Sequence, residues 1–297
     1  MAGGLNAQAS APRFAMTVDV EEWFTGVADH PDEFARYPSR LEIGMGRLLD
    51  LLERTGTRAT FFFLGYLAER SPDWVREVAR RGHEVGVHGH HHIPIWRLTA
   101  AELRADADRA RQALHAAGAA AVSGFRAPLF SIDRRTTWAF DVLEELGFEY
   151  SSSVFPVRNP RYGFPGAPRF PFRPTASGRF VEFPLSTIGP ARFALPFCGG
   201  FYLRALPGWT TTRAFARLAA EARPAVCYIH PWELDPGQPE LPVGALARVR
   251  HRIGLEGLER KLEGLLRTFR FAPMRDVLRD LVPARARRRL PLAPLRP

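Results

Sequence analysis

Between residues 14 and 280 the chain alternates short apolar runs, β-branched or aromatic, with longer segments of helical periodicity, and this alternation limits the fold more than any other feature. The strand-like runs are Phe14–Val20, Ala59–Leu64, Glu84–Val87, Val122–Arg126, Phe180–Phe183 and Ala225–His230. Helices are predicted between them. Ser39–Arg54 carries Leu41, Leu48, Leu49 and Leu52 at near-helical spacing, and Pro72–Arg81 follows. Thr99 and Glu102 form a capping pair that opens an alanine-rich helix ending near Gly118. Arg134–Leu146, Thr210–Glu221 and Gly257–Thr268 complete the set. Parallel strands need long crossovers, which helices supply, so the expected architecture is α/β: a closed or distorted (β/α) barrel in a single domain. A chain of 297 residues, 46% of them hydrophobic, is long enough to bury one core of this kind. The stretch 155–207 is rich in Pro, Gly and aromatics and is expected to form loops over the barrel mouth. The expected organisation is a flexible segment 1–13, a barrel domain 14–280 and a basic, disordered tail 281–297.

The formal charge of +10 suggests nucleic acid until it is located. About half of the excess sits at the end of the chain, in LVPARARRRLPLAPLRP, which holds five arginines and no acid. No zinc-finger, helix-turn-helix or aromatic RNA-binding signature accompanies it, so no nucleic-acid partner is expected. A basic tail of this type suits peripheral contact with an anionic membrane. The opening residues MAGGLNAQASAP lack a positive segment followed by an apolar one, and no run of 18 apolar residues occurs. A cytoplasmic location is expected, with peripheral contact at the inner membrane. Cys198 and Cys227 are too few for a disulfide scaffold or a four-thiolate metal site.

In TVDVEEWF, residues 17–24, three carboxylates fall within four positions at the end of a strand. Side chains alternate along a strand, so Asp19 and Glu21 share one face and Glu22 takes the other. Two like charges on one face need a cation or a shared proton, unless the strand has ended at Val20 and the acids are solvated. Downstream, HEVGVHGHHH places five histidines in ten positions. His88 and His92 have the spacing that puts two imidazoles on one side of a helical turn, with His90 and His91 as rival partners. Two histidines and one carboxylate leave coordination positions open, which is the catalytic pattern for a divalent ion. GFRAPLFS ends a strand with Arg126 before Pro128, and CYIHPWELD ends one with His230 before Pro231. Proline stops each strand and exposes the preceding side chain at the carboxyl edge of the sheet.

Taken in order, DVE at 19–21, HGHHH at 88–92, RAP at 126–128 and YIHPWELD at 228–235 resemble the motifs of the polysaccharide deacetylases that share the NodB-homology domain. VDVEEWF, SSSVFP, EFPLSTI and FRFAPMRDVL are similar to the exosortase-associated branch of that family. The resemblance implies a deformed (β/α) barrel holding a divalent ion, usually Zn2+, on Glu21, His88 and His92, with Asp19 and Glu22 as rival carboxylate ligands. It implies Asp19 as general base, Arg126 as its electrostatic partner and His230 as general acid. The implied reaction is removal of N-acetyl groups from an N-acetylated saccharide in exopolysaccharide biosynthesis. Metal-independent cyclic-amide hydrolases and non-catalytic sugar-binding proteins of the same family are the rival readings. Trp23, Trp232 and the aromatics of 155–207 are candidate stacking surfaces for sugar rings. The branch commonly has Asp where this chain has Ser151, so a neighbouring residue, or His230, is expected to be less well oriented or tuned.

Overall fold

The first strand shows why the sheet forms. In β1 (Phe14–Val20) every residue is buried, as expected for a parallel strand covered on both faces. The computed structural model describes residues 14–25, 31–34, 36–159, 161–190 and 193–281. After β1 come α1 (Pro31–Phe34), α2 (Leu41–Arg54), β2 (Thr60–Phe63), α3 (Gly65–Arg70), α4 (Pro72–Arg80), β3 (Glu84–Val87), α5 (Ala100–Ala116), β4 (Gly124–Phe125), α6 (Ala139–Glu145), β5 (Tyr150–Ser151) and β6 (Val181–Glu182). A hairpin of β7 (Thr187–Ile188) and β8 (Leu195–Pro196) leads to α7 (Gly200–Ala205), α8 (Gly208–Ala220), β9 (Val226–Ile229), α9 (Ala245–Arg252), α10 (Leu255–Thr268), β10 (Phe271–Ala272) and α11 (Met274–Leu281). The expected segment 1–13 and all of the expected tail beyond Leu281 lie outside the described residues.

All the ladders of the main sheet are parallel. β1 pairs with β2, β9 and, at its first residues, β10, and the path continues β2-β3-β4-β5-β6. No ladder joins β6 to β9 among the described residues, so the barrel is incomplete, and the Ser186 hydroxyl accepts the Val226 N–H across the gap at 2.6 Å. This is the deformed α/β barrel expected from the alternation of elements. Helices cover the outside through apolar stripes. In α2, Leu41, Met45, Leu48, Leu49 and Leu52 are buried at helical spacing. In α5 the capping box forms as expected: the Thr99 hydroxyl accepts the Glu102 N–H, and the Glu102 carboxylate accepts the Thr99 N–H. No described helix is long and apolar enough to cross a membrane.

Several expected elements contract. Val122–Arg126 pairs only at Gly124–Phe125, Phe180–Phe183 only at Val181–Glu182, and Arg134–Leu146 is helical only over Ala139–Glu145. Because every ladder of the main sheet is parallel, the carboxyl ends of β1, β3, β4, β5 and β9 lie along one edge. Glu21, His88, Arg126, Ser152 and His230 are the residues that follow or close those strands.

Candidate active site

Arg126 is the centre of this edge. It is fully buried and its guanidinium lies 4.4 Å from the centroid of the Phe62 ring. Nη1 donates to Asp19 Oδ1 at 2.7 Å and to Thr17 Oγ1 at 2.8 Å; Nε donates to the Ser152 carbonyl at 3.0 Å and Nη2 to the Ser152 hydroxyl at 2.8 Å. A buried charge needs this density of partners. The Ser152 loop is itself fixed from below by Glu182, whose carboxylate accepts the N–H groups of Ser153 and Val154 at 2.8 Å each and the hydroxyl of Ser151. Burial pushes the Glu182 carboxyl up, against these hydrogen bonds and the nearby Arg126.

Beside Asp19, Glu21 faces three histidines. Its Oε1 lies 2.9 Å from His88 Nε2 and 3.0 Å from His92 Nε2, and its Oε2 lies 4.0 Å from His230 Nε2. Burial alone would raise the Glu21 carboxyl, but the charges of His92 and His230 and the contacts to His88 and His92 outweigh it and hold it well below the usual carboxylate range. Among the described residues, Glu21, His88 and His92 form the group of candidate metal ligands, with ligand atoms all within 4.8 Å of one another.

The other ring nitrogen of His88 tests whether this group suits a cation. Nδ1 lies 2.9 Å from the Arg126 carbonyl, which can only accept, so Nδ1 carries the proton. In the neutral ring Nε2 then turns a lone pair toward Glu21, acceptor against acceptor. Only an intervening cation or a second ring proton makes that contact favourable. A carboxylate with two imidazoles, one of them oriented by a backbone carbonyl, is a donor set of the zinc type.

The route by which His88 and His92 meet differs from the sequence expectation. The segment is not a helical turn: His88 follows β3 directly, Gly89 adopts φ +75°, and His92 adopts φ +60°. A Cβ on Gly89 would stand 3.1 Å from Asp106 Oδ2 and 3.2 Å from Pro128, so glycine serves both the turn and the close approach there. The rival histidine, His90, is buried outside this group, between α3 and α5, where burial first, then His91 and Arg109, lower its imidazole to about 4. Glu22 turns away as well: its carboxylate accepts the Ser39 hydroxyl and, at 3.2 Å, the Arg40 N–H at the start of α2, and burial raises its pKa.

His230 closes the site, and a residue the sequence reading did not single out orients it. Glu233, fully buried, accepts the His230 N–H at 3.0 Å and sits 3.1 Å from His230 Nδ1, while Arg204 Nε donates to its other oxygen at 2.5 Å. Burial would raise the Glu233 carboxyl, but Arg204 and His230 hold it at about 2. Burial lowers the His230 imidazole, but Glu21 and Glu233 more than reverse this and raise it to about 9. A sequence signal for Glu233 was available: His-Pro-x-Glu is a capping-box spacing with proline at the first helical position. Ser151 is bound to Glu182, so the carboxylate partner of His230 comes from its own segment.

The two tryptophans offered as stacking surfaces have different surroundings, Trp23 buried and Trp232 partly buried. Trp23 is buried with its indole N–H donated to the Pro38 carbonyl at 3.0 Å. Trp232 already stacks on His230 at 5.4 Å and on His251 at 4.6 Å, with the Arg204 guanidinium 5.3 Å from its ring centre. A cavity of about 710 Å³ lined by Phe148, Tyr150, Arg173, Phe180 and Arg275 includes none of these site residues.

Residues 43–151 match the family model described as polysaccharide deacetylase, and residues 152–279 match one described as a domain of unknown function, DUF3473. The junction falls between Ser151 and Ser152, inside the site: His88, His92 and Arg126 precede it and His230 and Glu233 follow. A peptidoglycan deacetylase-like protein of Gibberella zeae is 31% identical over 114 residues, 38% of this chain and 33% of that protein. A peptidoglycan deacetylase of Helicobacter pylori is 28% identical over 129 residues, 43% of each. The chain thus spans less than half the length of these curated relatives. A putative polysaccharide deacetylase from Mycobacterium smegmatis shares the fold, with a TM-score of 0.66 at 20% identity over 97% of this chain and 94% of that one.

Proposed function

We propose that this chain, which belongs to the polysaccharide deacetylase family, is a metal-dependent hydrolase that removes N-acetyl groups from an N-acetylated saccharide in exopolysaccharide biosynthesis. The observation that carries the metal dependence is the convergence of Glu21, His88 and His92, whose ligand atoms all lie within 4.8 Å of one another, with His88 Nδ1 committed to the Arg126 carbonyl so that Nε2 is directed at Glu21. Glu21, His88 and His92 would hold the ion, and their mixed nitrogen and oxygen character suits Zn2+. Such an ion supplies Lewis-acid chemistry, acidifying water at the site and polarising an amide carbonyl.

The remaining roles fall to the chain's own groups. Asp19 is the general base. Its Oδ1 is held by Arg126, and Oδ2 takes the proton of the attacking water. Arg126 and Ser152 keep that carboxylate in one orientation. His230, protonated and hydrogen-bonded through Nδ1 to Glu233, delivers the Nε2 proton to the departing amine as the C–N bond breaks. The products are acetate and a free amino sugar. We assign the barrel domain to 14–280, and to the arginine-rich segment 281–297 a peripheral contact with anionic lipid at the cytoplasmic face of the inner membrane.

The test is elemental analysis of the purified protein joined to an acetate-release screen over several N-acetyl sugars. The reading expects close to one divalent ion per chain and acetate release that chelation abolishes. Activity on cyclic amides without metal, or saccharide binding with no acetate from any sugar, would replace it with one of the rival readings.

A further inference from the structure

Helix α9 turns its apolar stripe outward. None of its residues is buried. Leu246 is 85% exposed, Val249 61%, and Ile253, which follows the helix, 38%. Spaced by three and four positions, these side chains share one face. The residue on the opposite face is His251, whose Nε2–H is donated to the Trp23 carbonyl at 3.0 Å and whose ring stacks on Trp232 at an interplanar angle of 5°. The anchor is thus polar and aromatic while the aliphatic side chains meet solvent, the reverse of a helix that covers a core.

The same helix carries Arg248, Arg250 and Arg252 and no acid. Arg248 pairs with Glu240 at 3.2 Å, Arg252 donates to the Gln238 carbonyl at 3.1 Å, and Arg250 lies 5.2 Å from the Phe201 ring centre. We propose that α9 is an interfacial helix that seats the protein on an anionic lipid surface. Leu246, Val249 and Ile253 enter the boundary between headgroups and acyl chains, and the arginines reach lipid phosphates. Three arginines and no acid on the helix itself give it the charge that complements such a surface. A second copy fits less well, because a two-fold contact through α9 would set its arginines against their own images. His251 stacks on Trp232 and Trp232 on His230, so α9 packs toward the site with the face opposite the stripe. The inference does not depend on the deacetylase reading, since it concerns binding alone.

The test is co-sedimentation of the full-length protein with phosphatidylcholine vesicles with and without phosphatidylglycerol. Wild type should bind the anionic vesicles, and the double variant Leu246→Glu, Val249→Glu should lose at least about tenfold in partitioning at unchanged circular dichroism and melting temperature. The same loss should appear in a full-length background carrying Arg287→Gln, Arg288→Gln and Arg289→Gln, which separates α9 from the basic tail. Equal partitioning of wild type and the double variant overturns the proposal, as does absence of wild-type binding. A dimer that the double variant abolishes would assign the stripe to a second copy and overturn it too.

Discussion

His230 and Glu233, three residues apart, grip each other twice: one carboxylate oxygen of Glu233 accepts the His230 backbone N–H at 3.0 Å and meets Nδ1 of the same residue at 3.1 Å. The glutamate both aims the ring and raises its pKa, the latter together with Glu21. Glu233→Gln removes the charge, so the alkaline limb of the kcat/KM profile should move to lower pH; because the same carboxylate pairs with the buried Arg204, the melting temperature should fall as well. An unmoved limb would show that Glu233 does not tune His230.

His230→Ala should retain its metal and its fold yet lose about 10²- to 10⁴-fold in deacetylation, the usual worth of a positioned acid or base. Glu21→Ala should fail differently, by losing the ion, with metal content per chain as the readout. If His230→Ala turns over normally with metal bound, the leaving amine takes its proton from another group.

The Arg126–Asp19 pair is buried on both sides, with 0% and 2% of the side chains exposed. Arg126→Met would leave Asp19 charged in the interior without its partner, a loss of about 3–5 kcal/mol. Urea denaturation measures this directly, and a loss below about 1 kcal/mol would mean that water already reaches Asp19.

His83 gives the protein a pH dependence of stability away from the site. Burial first, then Arg81 and Arg58, lower its pKa from 6.5 to about 4, and its Nδ1 accepts the Ala59 N–H, which only the deprotonated nitrogen can do. The folded value lies below the unfolded one, so the unfolded chain binds the extra proton between these limits. Stability from this group is complete above about pH 6.5 and falls as the pH drops toward 4. The difference in melting temperature between pH 7 and pH 5 should shrink in His83→Gln. An undiminished difference would place the titration elsewhere.

The sequence by itself determined the class of fold and singled out most of the polar side chains that meet at the carboxyl edge of the sheet. Seven consecutive buried positions in β1, the stripe of α2 and the Thr99–Glu102 cap are local patterns, each written within a single helix or a single strand. β5 and β10, each two residues long, carry no readable period, because their pairing is supplied by neighbours distant in the chain. The site divides in the same way. Strand alternation places Asp19 and Glu21 on one side, but which carboxylate meets the histidines was decided by tertiary structure: α2 takes Glu22 through Ser39 and Arg40, and Arg126 takes Asp19. His88 and His92 converge through positive φ at Gly89 and His92 rather than through helical spacing. The contact of His88 with Glu21 spans 67 residues, and that of Arg126 with Asp19 spans 107. Local preference sets which face a side chain occupies, whereas distances across the site depend on the register of parallel strands, and register is settled only when the whole sheet packs.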